Sequence, residues 1–177
     1  RQGLLYKKNM STTENIDISF TTDVVIIGAG PAGLLLAYSC LSEGISVSVI
    51  EKETKHNWTQ NYCLWKEELS LHSLPSYLKN LLKNTIESEW DCATIRSKTE
   101  KHRTIYSPFI KLDTRKLQEE LRQRIHSFGS LIHQDNIHSI EHRASHAIVR
   151  GNQSYRSKIV IVANGARSSL LSYPTES

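Results

Sequence analysis

An α/β fold built on a parallel sheet is predicted by three features of this 177-residue chain. The apolar run Val24–Ile27 does not alternate and stops at Gly28. A helical pattern then opens at Pro31 and ends before Gly44. A second apolar run, Ile45 to Ile50, finishes on the acid Glu51. An apolar strand without alternation suits a sheet covered on both faces. Proline fits a first helical turn, where its missing N–H would have had no partner, and glycine suits the position that follows a helix.

The turn between the first strand and the helix reads G-A-G-P-A-G, with glycines at 28, 30 and 33. The spacing has a physical meaning. Gly28 opens a tight turn, Gly30 lets a ligand approach the backbone, and Gly33 lets the helix pack closely on the strand. The helix N-terminus that opens at Pro31 presents the free N–H groups of Ala32 and the residues after it, with partial positive charge, which suits a pyrophosphate. Glu51, about 20 residues further on, can accept hydrogen bonds from both hydroxyls of a ribose and would repel a 2′-phosphate. The unit is therefore a Rossmann-like dinucleotide-binding one, suited to FAD or NAD. Lys52 follows the acid at the same rim.

Later segments extend the architecture. Residues 74–86 place Leu74, Tyr77, Leu78, Leu81, Leu82 and Ile86 on one helical face, with Ser73 as N-cap and Pro75 in the first turn. That face suits a core. Lys79 and Lys83 beside it also fit a helix lying on an anionic membrane surface. A second helix is expected after an N-cap at Asp113 or Thr114, burying Leu117, Leu121, Ile125 and Phe128 and stopping at Gly129. His138–Arg143, Ala147–Arg150 and Ser157–Val162 read as short strands of a small antiparallel meander. The last of these returns to the parallel sheet before the turn at Ala163–Gly165.

Composition narrows the function classes. Hydrophobic residues make up 38% and charged residues 23%, ordinary values for a globular protein. The net charge is +4 and the pI near 9.0, but the basic residues are scattered, which argues against nucleic acid as a partner. Cys40, Cys63 and Cys92 form no C-x-x-C pair and are expected to be small buried side chains in a reducing compartment. His138, His142 and His146 have helical spacing, but the pattern around them is strand and turn, so no metal site is expected. No apolar stretch is long enough for a membrane span, and the first residues lack the apolar core of a signal peptide, so a cytoplasmic or peripheral membrane location is expected. Residues 1–21 are expected to be a disordered leader and residues 22–177 the folded domain.

Three further segments, read with the first, resemble the FAD-dependent lycopene cyclase family. "NWTQNYCLWKEEL", Asn57 to Leu69, is similar to the family's N-Y-G-x-W-x-D-E segment: Asn61, Tyr62, Trp65 and Glu68 match, Glu67 replaces Asp, and Cys63 replaces Gly. "YSPFIKLDTRKLQEEL" is similar to the segment that starts a helix near the flavin. Tyr106, Leu112, Asp113 and Leu117 match, while Thr114 stands where arginine is usual and Arg115 follows. "IVIVANGARSSL" resembles the strand and A-(T/D)-G-x-S turn that closes the flavin unit, with Asn164 replacing Thr or Asp.

The resemblance implies a glutathione-reductase-like (GR2-type) FAD-binding domain. Gly28, Gly30, Pro31, Ala32, Gly33, Glu51, Lys52, Asn61, Arg115, Ala163 and Gly165 would hold the cofactor, and Glu67 and Glu68 would be the catalytic acids. It further implies cyclisation of the ends of a linear carotene without net oxidation, with FAD kept reduced by NADPH or NADH. Family members have longer chains, so the sequence is expected to be an N-terminal part of such an enzyme, inactive alone. Two other readings stand beside this one: an FAD-dependent monooxygenase or geranylgeranyl-reductase-like oxidoreductase on the same module, and a non-catalytic nucleotide-binding fragment.

Overall fold

The structure, a computed structural model, describes residues 17–53, 57–71, 74–98, 102–165 and 170. Its centre is the unit read from the glycines: β1 (Phe20–Ile27), α1 (Pro31–Ser42) and β2 (Val47–Glu51). Val24, Val25, Ile26 and Ile27 are all buried, as a run without alternation requires. β1 begins at Phe20, inside the expected leader; residues 1–16 lie outside the described ones.

β8 (Ile132–Gln134) pairs with β2, and β11 (Ser154–Val162) pairs with the other edge of β1, all parallel. β10 (Ala147–Arg150) and β9 (Ser139–His142) continue the sheet antiparallel beyond β11. The result is one six-stranded sheet in the order β8-β2-β1-β11-β10-β9. The expected meander is thus fused to the parallel sheet through β11.

One face of this sheet carries the main core. α1 supplies Leu34, Ala37 and Tyr38, and α3 (Thr114–Ser127) supplies Leu117, Leu121 and Ile125. Asp113 is the N-cap of α3, its carboxylate accepting from Lys116 N at 2.9 Å. The other face holds a smaller cluster of Val25, Ile27, Ile50, Val149 and Tyr155. Below it the buried Asp135 carboxylate fixes the β10–β11 turn, accepting from Asn152 N, Gln153 N and the Tyr155 hydroxyl. Burial alone would raise that carboxyl, but these bonds outweigh it and hold it below the usual carboxylate range.

The region between β2 and α3 departs from expectation. α2 runs Ser76–Asn84 with Pro75 at its N-cap position; Ser73 lies outside the described residues. Its Leu78 and Leu81 lie in the core, so the apolar face is not available to a membrane surface. The helix stops before Ile86 because Thr85 is buried at its end. The Thr85 hydroxyl donates back to Leu82 O at 2.9 Å, and its carbonyl accepts from Asp113 N at 2.8 Å. Ile86 therefore starts a strand, β4 (Ile86–Trp90). β4 and β3 (Tyr62–Trp65) flank β7 (Phe109–Leu112) in a second, antiparallel sheet, and β5 (Ala93–Arg96) with β6 (His102–Ile105) forms a separate hairpin. Cys63 and Cys92 are exposed, not buried, because Cys63 lies on the outer face of β3 and Cys92 in the turn before β5.

Candidate functional site

The connections set the site. From β1 the chain passes to β2 and β8 on one side and later returns as β11 on the other, so β1 marks a switch point in the sheet. Ligands of open α/β sheets bind beside the carboxyl ends of the strands at such a point. A cleft of about 510 Å³ lies there, lined by Gly28, Gly30 and Pro31, by Glu51 and Lys52, and by Ala163 and Gly165 beside Gly28.

The three glycines are not equivalent. Gly28 has φ 113°, and a Cβ there would come 2.6 Å from Ala163 O. A Cβ on Gly33 would overlap the Gly28 carbonyl oxygen. Both are required by the protein's own backbone. Gly30 is different: its φ is −72°, and the nearest atom to a Cβ would be Ala163 O at 4.0 Å. The fold has room for a side chain at Gly30, and that room is the cleft. A glycine that the chain does not need, at the start of a helix, is what close approach of a phosphate calls for. α1 has no acid in its first turn and no side-chain N-cap, so its first N–H groups remain directed at the cleft mouth. The residues present fit a dinucleotide.

Glu51 closes the other end. Its Oε2 accepts from Ala29 N at 2.6 Å and its Oε1 from Lys52 N at 2.9 Å. Glu53 N also reaches Oε1, at 3.5 Å. A carboxylate has about four acceptor positions, so one remains for a ribose hydroxyl. Arg122 of α3 comes within electrostatic reach: burial lowers its guanidinium below the ordinary value, and the charge of Glu51 pushes the other way.

Seven of the expected cofactor residues meet in this cleft: Gly28, Gly30, Pro31, Glu51, Lys52, Ala163 and Gly165. Gly33 lies behind it as the packing position. Ala32 is exposed in the first turn of α1, and neither it nor Asn61 is a lining residue. Arg115 is exposed in the first turn of α3 and does not line the cleft either. Glu67 and Glu68 belong to a 3-10 turn, Lys66–Ser70, outside it. Glu68 caps that turn, its Oε2 accepting from Trp65 N at 2.8 Å. The residues that follow Gly165 in the closing segment, 166–169, are outside the described ones.

Sequence reading missed part of the wall. Trp58, Gln60 and Tyr62 also line the cleft, and the buried Trp58 donates from its indole Nε1 to Ala29 O, beside the glycine turn, at 3.1 Å. Its ring meets Tyr62 edge to face at 6.0 Å. Behind it, Gln118 of α3 accepts from Trp58 N at 3.4 Å. Gln118 is a polar residue on the otherwise apolar buried face of α3, and that was the available signal.

The chain is similar to lycopene beta cyclase of an Oncidium hybrid cultivar, 26% identical over 161 residues that make up 90% of this chain and 32% of that protein. It is likewise similar to neoxanthin synthase of Solanum lycopersicum, 25% identical over 85% of this chain and 29% of that protein. The chain thus spans about a third of the length of the curated relatives it matches. Among solved structures, p-nitrophenol 4-monooxygenase PnpA from Pseudomonas putida DLL-E4 aligns with a TM-score of 0.68 at 18% identity, over 85% of this chain and 42% of that one. Halogenase PltM in complex with phloroglucinol and FAD aligns at 0.66 and 14%, over 84% and 35%. At these identities the likeness to solved structures is one of fold. A family model described as lycopene cyclase protein matches residues 23–175, and with that span, nearly the whole described chain, the protein belongs to the lycopene cyclase family.

Proposed function

We propose that residues 22–177 form the FAD-binding part of a carotenoid cyclase that closes rings at the ends of a linear carotene. The observation that carries this reading is Gly30, a glycine demanded by a ligand and not by the fold, in a cleft whose rim ends on Glu51. Family membership narrows the dinucleotide to FAD and the substrate class to carotenoids.

In this reading Gly28, Gly30, Pro31 and Ala32 with the α1 N-terminus hold the pyrophosphate, and Gly33 keeps that turn closed. Glu51 holds the ribose, with Lys52, Ala163 and Gly165 around it and Asn61 and Arg115 further out. Reduced by NADPH or NADH, the bound flavin would supply negative charge beside the cation that forms on the carotene. Glu68 is tied to Trp65 N–H, so of the two acids Glu67 is the one we assign to proton donation or cation stabilisation. The carotene dissolves in lipid, so the reading includes peripheral membrane contact by the whole protein.

The first test is a titration with FAD, followed by flavin fluorescence and by competition with ADP. The wild-type chain is expected to bind FAD and release it to ADP. Glu51→Lys loses the ribose hydrogen bond and sets donor against donor, at a cost of roughly 1.5–3 kcal/mol, so FAD affinity should fall at least about tenfold. Glu68→Gln should leave it unchanged. Equal dissociation constants for the two variants would remove Glu51 from the site. The second test is activity: lycopene given to residues 1–177 with FAD, NADPH and lipid vesicles is expected to be recovered unsubstituted and uncyclised by chromatography. A cyclised product would place the complete catalytic apparatus within this chain.

A further inference from the structure

We infer that Trp58 is a positioning residue that aims the phosphate-binding turn. The inference rests on the reading of the cleft as a dinucleotide site. Ala29, the middle residue of G-A-G, is buried, and both of its backbone polar groups are held by side chains from elsewhere in the chain. Glu51 accepts its N–H at 2.6 Å, and the Trp58 indole donates to its carbonyl at 3.1 Å. These two bonds fix the two peptide planes on either side of Ala29.

The second plane is the one that matters for an anion. A peptide unit is planar and trans, so its C=O and the following N–H point in opposite directions. With the Ala29 carbonyl drawn toward the Trp58 indole, the Gly30 N–H must point away from it. Gly30 has no Cβ to settle its backbone and lines the cleft beside the α1 N-terminus. A glycine peptide left unheld can rotate at low cost. Trp58 removes that freedom before any ligand arrives, so the Gly30 N–H is presented to a diphosphate without an ordering cost on binding.

Trp58 is itself fixed. It is 7% exposed, its own N–H donates to Gln118 Oε1, and Gln118 sits on α3 next to the buried Leu117. The line therefore runs from the α3 core face through Gln118 and Trp58 to the Ala29–Gly30 peptide. α3 shapes the phosphate turn without touching it.

The test removes one hydrogen. Trp58 is replaced by 3-benzothienylalanine, which keeps the ring shape and lacks the N–H, and in parallel by phenylalanine (Trp58→Phe). ADP and FAD dissociation constants, melting temperature and the ¹H–¹⁵N position of the Gly30 amide are measured for each. Both variants are expected to bind ADP and FAD about tenfold more weakly, because the Ala29–Gly30 peptide must then be ordered on binding. The benzothienyl protein should melt a few degrees lower, the effect of one buried carbonyl without its donor, but remain folded, and its Gly30 amide should shift less on adding ADP than that of the wild type. Unchanged affinities in the benzothienyl protein would overturn the inference, as would a weaker affinity that comes with an unaltered Gly30 response. A wild-type chain that binds neither ADP nor FAD would overturn the reading of the cleft, and the inference with it.

Discussion

Gly33→Ala is expected to destabilise the fold strongly. The added methyl would overlap the Gly28 carbonyl oxygen, lie 3.2 Å from the Gly28 carbonyl carbon and press on Ile26 Cγ2 at 3.4 Å. The first two are backbone atoms, so no rotamer change relieves the clash. Nor can the turn retreat, because Gly28 is already packed against the backbone of Ala163 and Asn164. Relief needs α1 to lift from β1, which opens the core at Leu34 and Ala37. Alanine gains about 1 kcal/mol over glycine in helix propensity, but separating packed elements costs roughly 3–5 kcal/mol. The net loss of about 2–4 kcal/mol is a large fraction of a total stability of about 5–15 kcal/mol. Urea unfolding followed by far-UV circular dichroism measures it. An alanine variant as stable as the wild type would mean that α1 does not sit this close to the turn.

The same substitution two positions away from Gly28 should do the reverse. Gly30→Ala is expected to leave the fold intact and to remove dinucleotide binding. Its φ of −72° suits any residue, and the nearest atom to the new methyl is 4.0 Å away. Loss of glycine at the N-cap costs at most about 1 kcal/mol. The methyl would instead fill the space into which a diphosphate must come to reach the helix N–H groups, so FAD and ADP affinities should drop by at least about tenfold. Isothermal titration on the folded variant reads this directly. Normal FAD binding by Gly30→Ala would show that the phosphates lie elsewhere.

The β1-turn-α1-β2 unit was legible in the sequence because each part follows from one local cause: burial on both faces for Val24–Ile27, close backbone packing for Gly28 and Gly33, strand end for Glu51. α3 was legible for the same reason, through Asp113 and its apolar spacing. The intervening strands were not. "IESEW", "ATIR" and "HRTI" are short and polar, and they are strands because β7 and their own hairpin partner pair with them, not because of their pattern. Ile86 continued the helical spacing of Leu78 and Leu82, yet a tertiary hydrogen bond from Asp113 to Thr85 ended the helix first. Cys63, expected to be buried, is an exposed, extended residue opposite Lys111. Trp58 could not be assigned from its neighbours, since its role is a bond to Ala29, a residue 29 positions earlier.

The order β2-β1-β11 also governs how the chain can assemble as it is made. Phe20 pairs with Tyr155 and Ile27 with Val162, and the ion pair between Asp23 and Lys158 spans 135 positions. β1 is therefore a central strand with one edge open until β11 has been synthesised, more than a hundred residues later. At about 5–20 residues per second, that gap lasts roughly 7–27 s. Through that interval the most apolar strand of the molecule, Val24–Ile27, has β2 on one side and solvent or another chain on the other. Closure by β11 is thus a late, long-range event that the ribosome must wait for, and holding β1 apart from other chains during that time falls to whatever binds nascent polypeptides.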